Sequence, residues 1–516
     1  MHRIIVLMMS DFKVMRDPVH GDIKISKQLC KLFVDTKIFQ RLRGIEQTSS
    51  MRWLFPGARH DRFIHSLGVY HLADRMYEAL KRNVREKDSS IKAILKDQGL
   101  KSTFLVAALM HDCGHAPFSH TTEFLYNCYC IGSDKHNETY NKLKECVASF
   151  DKASEGEFAF GSIGKVPAHH EVMSALVLLE HYSDEMKKLG ANPVLAARMI
   201  TGRLHGLANN ARLKVENALI KLINGDAIDV DKLDYILRDT WATGVKNAAI
   251  DVDRLLDSAL LSFNENGEIE FSYKMTALSV VQTVVDSRNY IYEWVCGHHT
   301  VVYYGELLKR LCKKLGVALT KDKLQEGTEE GRKACANDVM KRLFSFEGIF
   351  PKQDNALDAD GGHVSIRLMN DGDLMGLFKR CCSNSWEYLA FSRHIPNHIP
   401  LWKSEADYRS IIDKRKHNTF GADECVAKVR QQFTLSEDQC FACDGTSSKI
   451  YDIDPEEIRI CMRNGRKLSY GHVANTLMHP RATKQHQYPF FYVFVDKCVS
   501  DKVDEILKFI NSYNWR

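Results

Sequence analysis

Phe104-Leu105-Val106-Ala107-Ala108-Leu109-Met110-His111-Asp112-Cys113-Gly114-His115-Ala116-Pro117 decides how this chain is read. Seven consecutive apolar residues, preceded by the capping candidates Ser102 and Thr103 and followed by Gly114 and Pro117, predict a helix buried on all sides. Its end carries His111 and Asp112. An imidazole beside a carboxylate at the mouth of a buried helix is costly unless compensated, and a divalent metal compensates both. For a lone His-Asp doublet, hydrogen bonds to backbone are the better explanation, so the case for a metal rests on the residues around it.

Composition narrows the classes. At 516 residues, 44% hydrophobic and 27% charged, the chain has the make-up of a globular protein with room for a large core and two domains. A formal net charge of +5 does not by itself imply nucleic acid, and no basic, aromatic-rich stripe is present. Fifteen cysteines, some in apolar helical settings such as Cys30 and Cys296, predict reduced thiols in an intracellular, cytoplasmic protein, or a nuclear one if the source is eukaryotic. Cys440-x-x-Cys443 lacks a second pair at zinc-finger spacing and reads as a loop pair. Met1 to Met9 is too short to span a membrane and has no small-residue cleavage site.

Along the chain, Lys13–Met15 and Ile23–Ile25 flank the turn cluster Asp17-Pro18-Val19-His20-Gly21-Asp22 and predict a hairpin. Helical spacing then runs from Gln28, with a break and new cap near Asp35-Thr36, and resumes at Arg62. Arg85 to Asp97 is charged and reads as solvent-facing; Ile131 to Lys165 reads as an excursion loop. Helices are predicted from His170, through Pro193–Leu222 and Asp229–Thr240, from Leu255, and from Met275 to Leu315. The charged break Lys321 to Arg332 predicts a boundary between a body over 12–320 and a smaller α+β region over 333–516. In the latter, His363–Leu368 and Phe490–Val495 read as strands and Val503–Ile510 as a helix.

His65, the His111-Asp112 doublet and Asp231, each embedded among apolar residues, can furnish one metal site. Two imidazoles and two carboxylates suit Mn, Fe or Zn, with Mg possible, and do not choose among them. The ordered series Arg62-Phe63-Ile64-His65-Ser66-Leu67-Gly68, His111 through His120, His170-Glu171, and Asp229-Val230-Asp231-Lys232-Leu233-Asp234-Tyr235 resembles the HD-domain phosphohydrolases. Within them it is most similar to the deoxynucleoside triphosphate triphosphohydrolase branch, whose sterile-alpha-motif domain is expected to be missing here. The resemblance covers roughly residues 12 to 300. It implies a mainly α protein: an all-helical HD-domain body, a small N-terminal hairpin and a smaller α+β C-terminal region.

The resemblance also implies roles. His65, His111, Asp112 and Asp231 correspond to the metal ligands; Arg62, His120, Lys232 and Arg288 to phosphate contacts; Gln47 and Asp239 to groups holding a sugar 3′-hydroxyl; and Tyr235 to one packing near the sugar. His115 and His170 match histidines of proton transfer, and Glu123 stands where the family has an orienting Asp. Lys13, Val14, Asp35, Gln40 and Arg43 match a guanine-nucleotide activator site at subunit contacts, implying GTP or dGTP as activator and a homo-oligomer, dimer or tetramer. The implied reaction converts a deoxynucleoside triphosphate to deoxynucleoside and inorganic triphosphate, with no membrane partner. Two departures, Ile64 for an acidic residue and Cys296 at an aromatic position, leave deoxy against ribo selectivity open. Other HD proteins act on nucleoside monophosphates or cyclic nucleotides, and a nucleotide- or nucleic-acid-binding module is the reading from a different class.

Overall fold

Side chains that accept the first free backbone N–H groups set where helices begin in this chain. The computed structural model of the protein describes residues 11–126, 138–158, 167–206, 208–246, 249–320, 329–351, 368–412, 420–445, 453–478, 490–513 and 515. The expected hairpin is present: β1 (Phe12–Asp17) pairs antiparallel with β2 (Gly21–Ser26), closing at Gly21 with φ 75°. Thr36, not Asp35, caps α1 (Lys37–Arg41) by accepting from Phe39 N. Asp61 caps α2 (Arg62–Asn83).

Helix α3 (Gln98–Met110) contains the apolar run, and Phe104 to Met110 are all buried. Its cap is Asp97, which accepts from Gly99 N and Leu100 N, and not Ser102 or Thr103. Thr103 Oγ1 instead donates to Gly99 O at 2.7 Å inside the helix. The charged segment before it is not wholly solvent-facing, because a short helix over Ser89–Ile94 buries Ile91, and Leu95 follows it into the core.

The excursion loop expected over Ile131–Lys165 is corrected by α4 (Glu138–Phe150) and a 3₁₀ segment over Lys152–Phe158. Tyr140, Leu143 and Val147 fall on one helical face and are buried. Residues 131–137 and 159–165 lie outside the described residues. Helices α2, α3, α5 (His169–Lys188), α6 (Pro193–Thr201), α7 (Ala211–Ile223) and α8 (Val230–Thr243) pack around one apolar core.

Between Leu255 and Met275 the body carries a second hairpin where helix was expected, β3 (Ala259–Phe263) with β4 (Ile269–Lys274). Helix α9 (Leu278–Tyr290) then continues into a π-helical turn over Ile291–Cys296 and α10 (His299–Leu319). The C-terminal region contributes α11 (Asp371–Cys382), β5 (His398–Pro400), α12 (Ala422–Phe433) and β6 (Cys440–Asp444). Beyond these come β7 (Arg459–Cys461), β8 (Lys467–Ser469), β9 (Phe491–Asp496) and α13 (Val503–Ser512). Cys440 and Cys443 therefore sit buried on a strand and not in a loop, where Phe441 and Cys443 pair with Phe494 and Tyr492.

The two regions share a four-stranded sheet in the order β3-β4-β7-β8, with β7 parallel to β4 (Tyr273 opposite Ile460, Lys274 opposite Cys461). A helix over Glu329–Leu343 occupies the end of the charged break; residues 321–328, the strand expected at His363–Leu368 apart from Leu368, and Met1–Met9 lie outside the described residues. No helix among the described residues is long and apolar enough to cross a membrane.

Candidate active site

Asp112 follows the C-terminus of α3, His65 lies one turn into α2, and Asp231 lies in the first turn of α8. Packing these three helices on a common core brings the side chains together. His65 Nε2 is 3.0 Å from Asp231 Oδ1 and 3.4 Å from Asp112 Oδ2; His111 Nε2 is 3.5 Å from Asp231 Oδ1 and 3.4 Å from Asp112 Oδ1. Both Nε2 atoms are buried without a hydrogen-bond partner, while the opposite nitrogens are tied down. His65 Nδ1 donates to Asp234 Oδ2 at 2.7 Å and His111 Nδ1 to Ala108 O at 2.8 Å. That pattern aims both Nε2 atoms at one point, as metal-ligating imidazoles require. The rings meet edge to face at 72°, so their in-plane lone pairs can converge on a single ion. His65, His111 and Asp231 bring ligand atoms close enough together to hold one divalent metal, with the Asp112 carboxylate beside them.

Support for this floor comes from residues the sequence reading did not assign. Asp234 accepts from His65, from His20 Nε2 at 2.6 Å and from Arg238 Nε at 2.8 Å, and Arg238 Nη1 reaches Asp17 at 2.8 Å. Against the opposition of burial, Arg238, His20 and His65 hold the Asp234 carboxyl well below the usual carboxylate range. Burial likewise opposes charge on His65, but the surrounding carboxylates of Asp231, Asp234 and Asp112 prevail and raise the imidazole to about 10. The spacings Asp231-x-x-Asp234 and Asp234-x-x-x-Arg238 put all three on adjacent turns of one helix, a signal present in the sequence.

Gly68, one turn after His65, lets α2 approach this group. A Cβ there would collide with Asp234 Oδ1 and the Arg238 guanidinium. Gly68→Ala is therefore expected to displace Asp234 from His65 and weaken metal affinity by roughly 10- to 100-fold, read by competition with a chelator.

A second cluster lies beside the first. His115, His120 and His170 each bring Nδ1 within 2.9, 3.2 and 2.8 Å of Glu123 Oε1. His115 and His170 stack with centroids 4.0 Å apart and planes at 14°. The ligand atoms of this group lie close enough to hold an ion, and the stacked pair sharing one carboxylate is equally an arrangement for handling a proton. Burial lowers His115, helped by Arg62 and His170, to about 3; burial also works against His170, but Glu123 prevails and raises it to about 9. At neutral pH the pair thus carries its proton on His170. His115 Nε2 lies 3.3 Å from Asp112 Oδ1, which links the two clusters.

Both clusters open into a cavity of about 1260 Å³. Its walls include Gln47, Arg62, His120, Lys232, Tyr235 and Asp239. Arg62 pairs with Asp112 and donates from Nε to Ser119 Oγ at 2.8 Å, leaving Nη2 without a protein partner. Gln47 Oε1 is likewise buried without one. Lys232 Nζ donates to Asp229 Oδ2 at 2.6 Å and Gly225 O at 2.7 Å; burial pushes Asp229 up to about 6 although Lys232 opposes the shift. Asp239 pairs with His60 at 2.8 Å, and the rings of Tyr235 and Tyr292 meet edge to face.

Arg288 is not brought to the cavity surface: its guanidinium stacks 3.9 Å from the ring centroid of Tyr292, which does line the wall. The π-helical turn carries Tyr292 and Cys296 inward. The far wall comes from the C-terminal region, through Gly421–Glu424 and Ala442–Asp444, a contribution to which the sequence reading assigned no chemistry.

Lys13, Val14, Asp35, Gln40 and Arg43 stand apart, on β1 and around α1. Lys13 pairs with Asp35 at 3.2 Å with both about half exposed, Arg43 Nε donates to Gln40 Oε1 at 2.8 Å, and Val14 is exposed.

The HD domain family matches residues 62–223. The deoxynucleoside triphosphate triphosphohydrolase SAMHD1 of Gallus gallus is 30% identical over 249 residues, 46% of this chain and 34% of that protein. The Bos taurus protein of the same name is 31% identical over 266 residues, 48% and 38%. An uncharacterised protein of Methanocaldococcus jannaschii is 26% identical over 298 residues, 58% and 49%. This chain thus spans about half or less of the length of these relatives. Among solved structures, a phosphohydrolase from Bacteroides thetaiotaomicron shares the fold with TM-score 0.59 at 19% identity, covering 94% of this chain and all of that one. A hypothetical protein from Aquifex aeolicus does so with TM-score 0.53 at 21% identity, covering 96% and all. Residues 62–223 thus match the HD domain family, and over this part the chain resembles the deoxynucleoside triphosphate triphosphohydrolases.

Proposed function

We propose that the protein hydrolyses deoxynucleoside triphosphates to deoxynucleoside and inorganic triphosphate, using one divalent metal and responding to guanine nucleotide. The observation that carries this reading is a single cavity faced by His111, Asp112, Asp231, the proton-bearing His170 and the cationic Arg62, with His65 packed against Asp231 behind its wall. At about 1260 Å³ it exceeds the range of roughly 300–1,000 Å³ usual for small-molecule pockets and has room for a base, sugar and three phosphates.

A metal held by the four ligands supplies Lewis-acid charge at a phosphoryl oxygen. The chain's own groups do the rest. Arg62 offers its unpartnered Nη2 to phosphate oxygens as charge builds there. His170 donates its proton to the departing 5′-oxygen, and neutral His115 accepts one from water; Glu123 keeps both rings in place. Gln47 Oε1 is an acceptor for a sugar hydroxyl, with Asp239 nearby on the same wall and Tyr235 packing against the sugar. Lys232 holds the Asp229 carboxylate that caps the Asp231 helix.

Purified, metal-replete protein incubated with each dNTP and NTP, with and without GTP, is expected to release triphosphate. Release of phosphate or pyrophosphate, or turnover confined to nucleoside monophosphates or cyclic nucleotides, would replace this assignment with another HD activity; silence throughout would remove it. If Lys13, Val14, Asp35, Gln40 and Arg43 receive the activator, Arg43→Ala should reduce GTP stimulation by about 5- to 150-fold, the usual range of allosteric coupling. An Arg43→Ala enzyme stimulated as strongly as the parent would exclude that site.

A further inference from the structure

We propose that Asp371, at the start of α11 in the C-terminal region, is a positioning residue for the active site, acting with Arg41 to clamp the turn after the His-Asp doublet. The inference rests on the activity proposed above and adds a part of the chain that lies outside the matched HD domain.

Asp371 is 7% exposed and spends both carboxylate oxygens on backbone groups far away in sequence. Oδ1 accepts from Phe118 N at 2.6 Å and Oδ2 from Glu46 N at 2.9 Å. Both recipients matter to the site. Phe118 and Ser119 adopt consecutive left-handed conformations, φ 59° and 53°, a backbone that non-glycine residues hold only where the surroundings impose it. Ser119 Oγ accepts from Arg62 Nε at 2.8 Å and donates to Glu46 O at 2.6 Å. The Glu46 peptide is thereby gripped at both ends, by Asp371 and by Ser119, immediately before Gln47. Arg62 passes the alignment on to Asp112 through their ion pair.

Arg41 supplies the second point of the clamp. It is buried, donating from Nε to Met369 O and from Nη2 to His115 O, each at 2.8 Å. The segment 369–371 is thus bound on one side to the carbonyl of a proton-handling histidine and on the other to the turn leading to His120. A carboxylate so enclosed is expensive: burial pushes Asp371 up to about 7 although both N–H groups and Arg52 oppose the shift. An apolar helix start would avoid that cost, so the location of its two partners is the best account of why an aspartate stands here.

The test uses the full-length, metal-loaded protein. Asp371→Ala removes both acceptors; Asp371→Asn keeps one and turns the other into a donor facing an N–H. Expected are a fall in kcat of about 10²-fold for the first and about 10-fold for the second, with KM changed less than threefold and metal content unaltered. Hydrogen exchange should show the Phe118 and Glu46 amides losing protection. Ile506→Ala, a core truncation in α13, gives a stability control: it should lower the melting temperature without the kcat loss. Should either Asp371 variant retain parental kcat, or should both amides stay protected in Asp371→Ala, the clamp is refuted. A loss of kcat of the same size in the stability control would refute it too. If the parent enzyme turns over no nucleotide, the functional reading fails, and the amide protection still judges the clamp by itself.

Discussion

Asp231→Ala is expected to leave the protein folded while removing its metal and its turnover together. The side chain is about one-third exposed at the first turn of α8, so truncation opens no core cavity. What it removes is the anion that both unpartnered imidazole nitrogens face, at 3.0 and 3.5 Å. Asp112, shared with Arg62, remains, but the variant lacks the carboxylate that lies nearest His65 Nε2. Elemental analysis after dialysis should find metal in the parent and background levels in the variant, with no triphosphate released.

The same site carries a pH signature. In the metal-free protein Asp231 and Asp234 keep a proton on His65 up to about 10, so a cation must displace that proton to bind. Affinity is expected to rise with pH between about 6 and 9, by up to tenfold per unit. Chelator competition at three pH values measures the slope, and a flat response would contradict the assignment of His65 as ligand.

His170→Ala is the second large effect, and it differs in kind: metal retained, turnover reduced by roughly 10²- to 10⁴-fold. His170 reaches Glu123 and not the metal ligands, so its loss empties the acid position and leaves the floor intact. Glu123→Gln refines the prediction. Glu123 is what raises His170 to about 9 against burial; without its charge the imidazole falls toward or below the ordinary value near 6.5. A general acid works in its protonated form, so activity declines as pH climbs through its pKa. The alkaline limb of kcat/KM is therefore expected to move down by two pH units or more in Glu123→Gln. A bound metal's positive charge lowers the limb in both enzymes and leaves the direction of the difference intact. An unmoved limb would exclude His170 as the acid.

The convergence of His65, His111-Asp112 and Asp231 was legible in the sequence because the first two interrupt apolar stretches and because all come in a recognisable order. Asp234, His20 and Arg238 were harder to see. Asp234 lay inside a quoted motif, but a carboxylate that buttresses a ligand from behind has the same spacing as an ordinary helical ion pair. Gly68 read as one more small residue on a helix, since its purpose appears only when α8 is laid across α2. Arg288 shows the converse, a residue matched by position whose side chain ends beneath Tyr292. Least visible of all was the C-terminal contribution. Asp371 meets partners 253 and 325 positions away, and no local periodicity encodes contacts of that range. The helix at Glu138–Phe150 was missed for a local reason: glycines and serines in the surrounding segment obscured the spacing of Tyr140, Leu143 and Val147.

The parallel pairing of β4 with β7 bears on how the chain reaches this state. Lys274 emerges from the ribosome well before Cys461, so one edge of the body's second hairpin stays bare for about a third of synthesis. Contacts so distant along the polymer form slowly, and an open edge is a template for neighbouring nascent chains. The earlier half thus depends on the later half for protection of that edge during biogenesis.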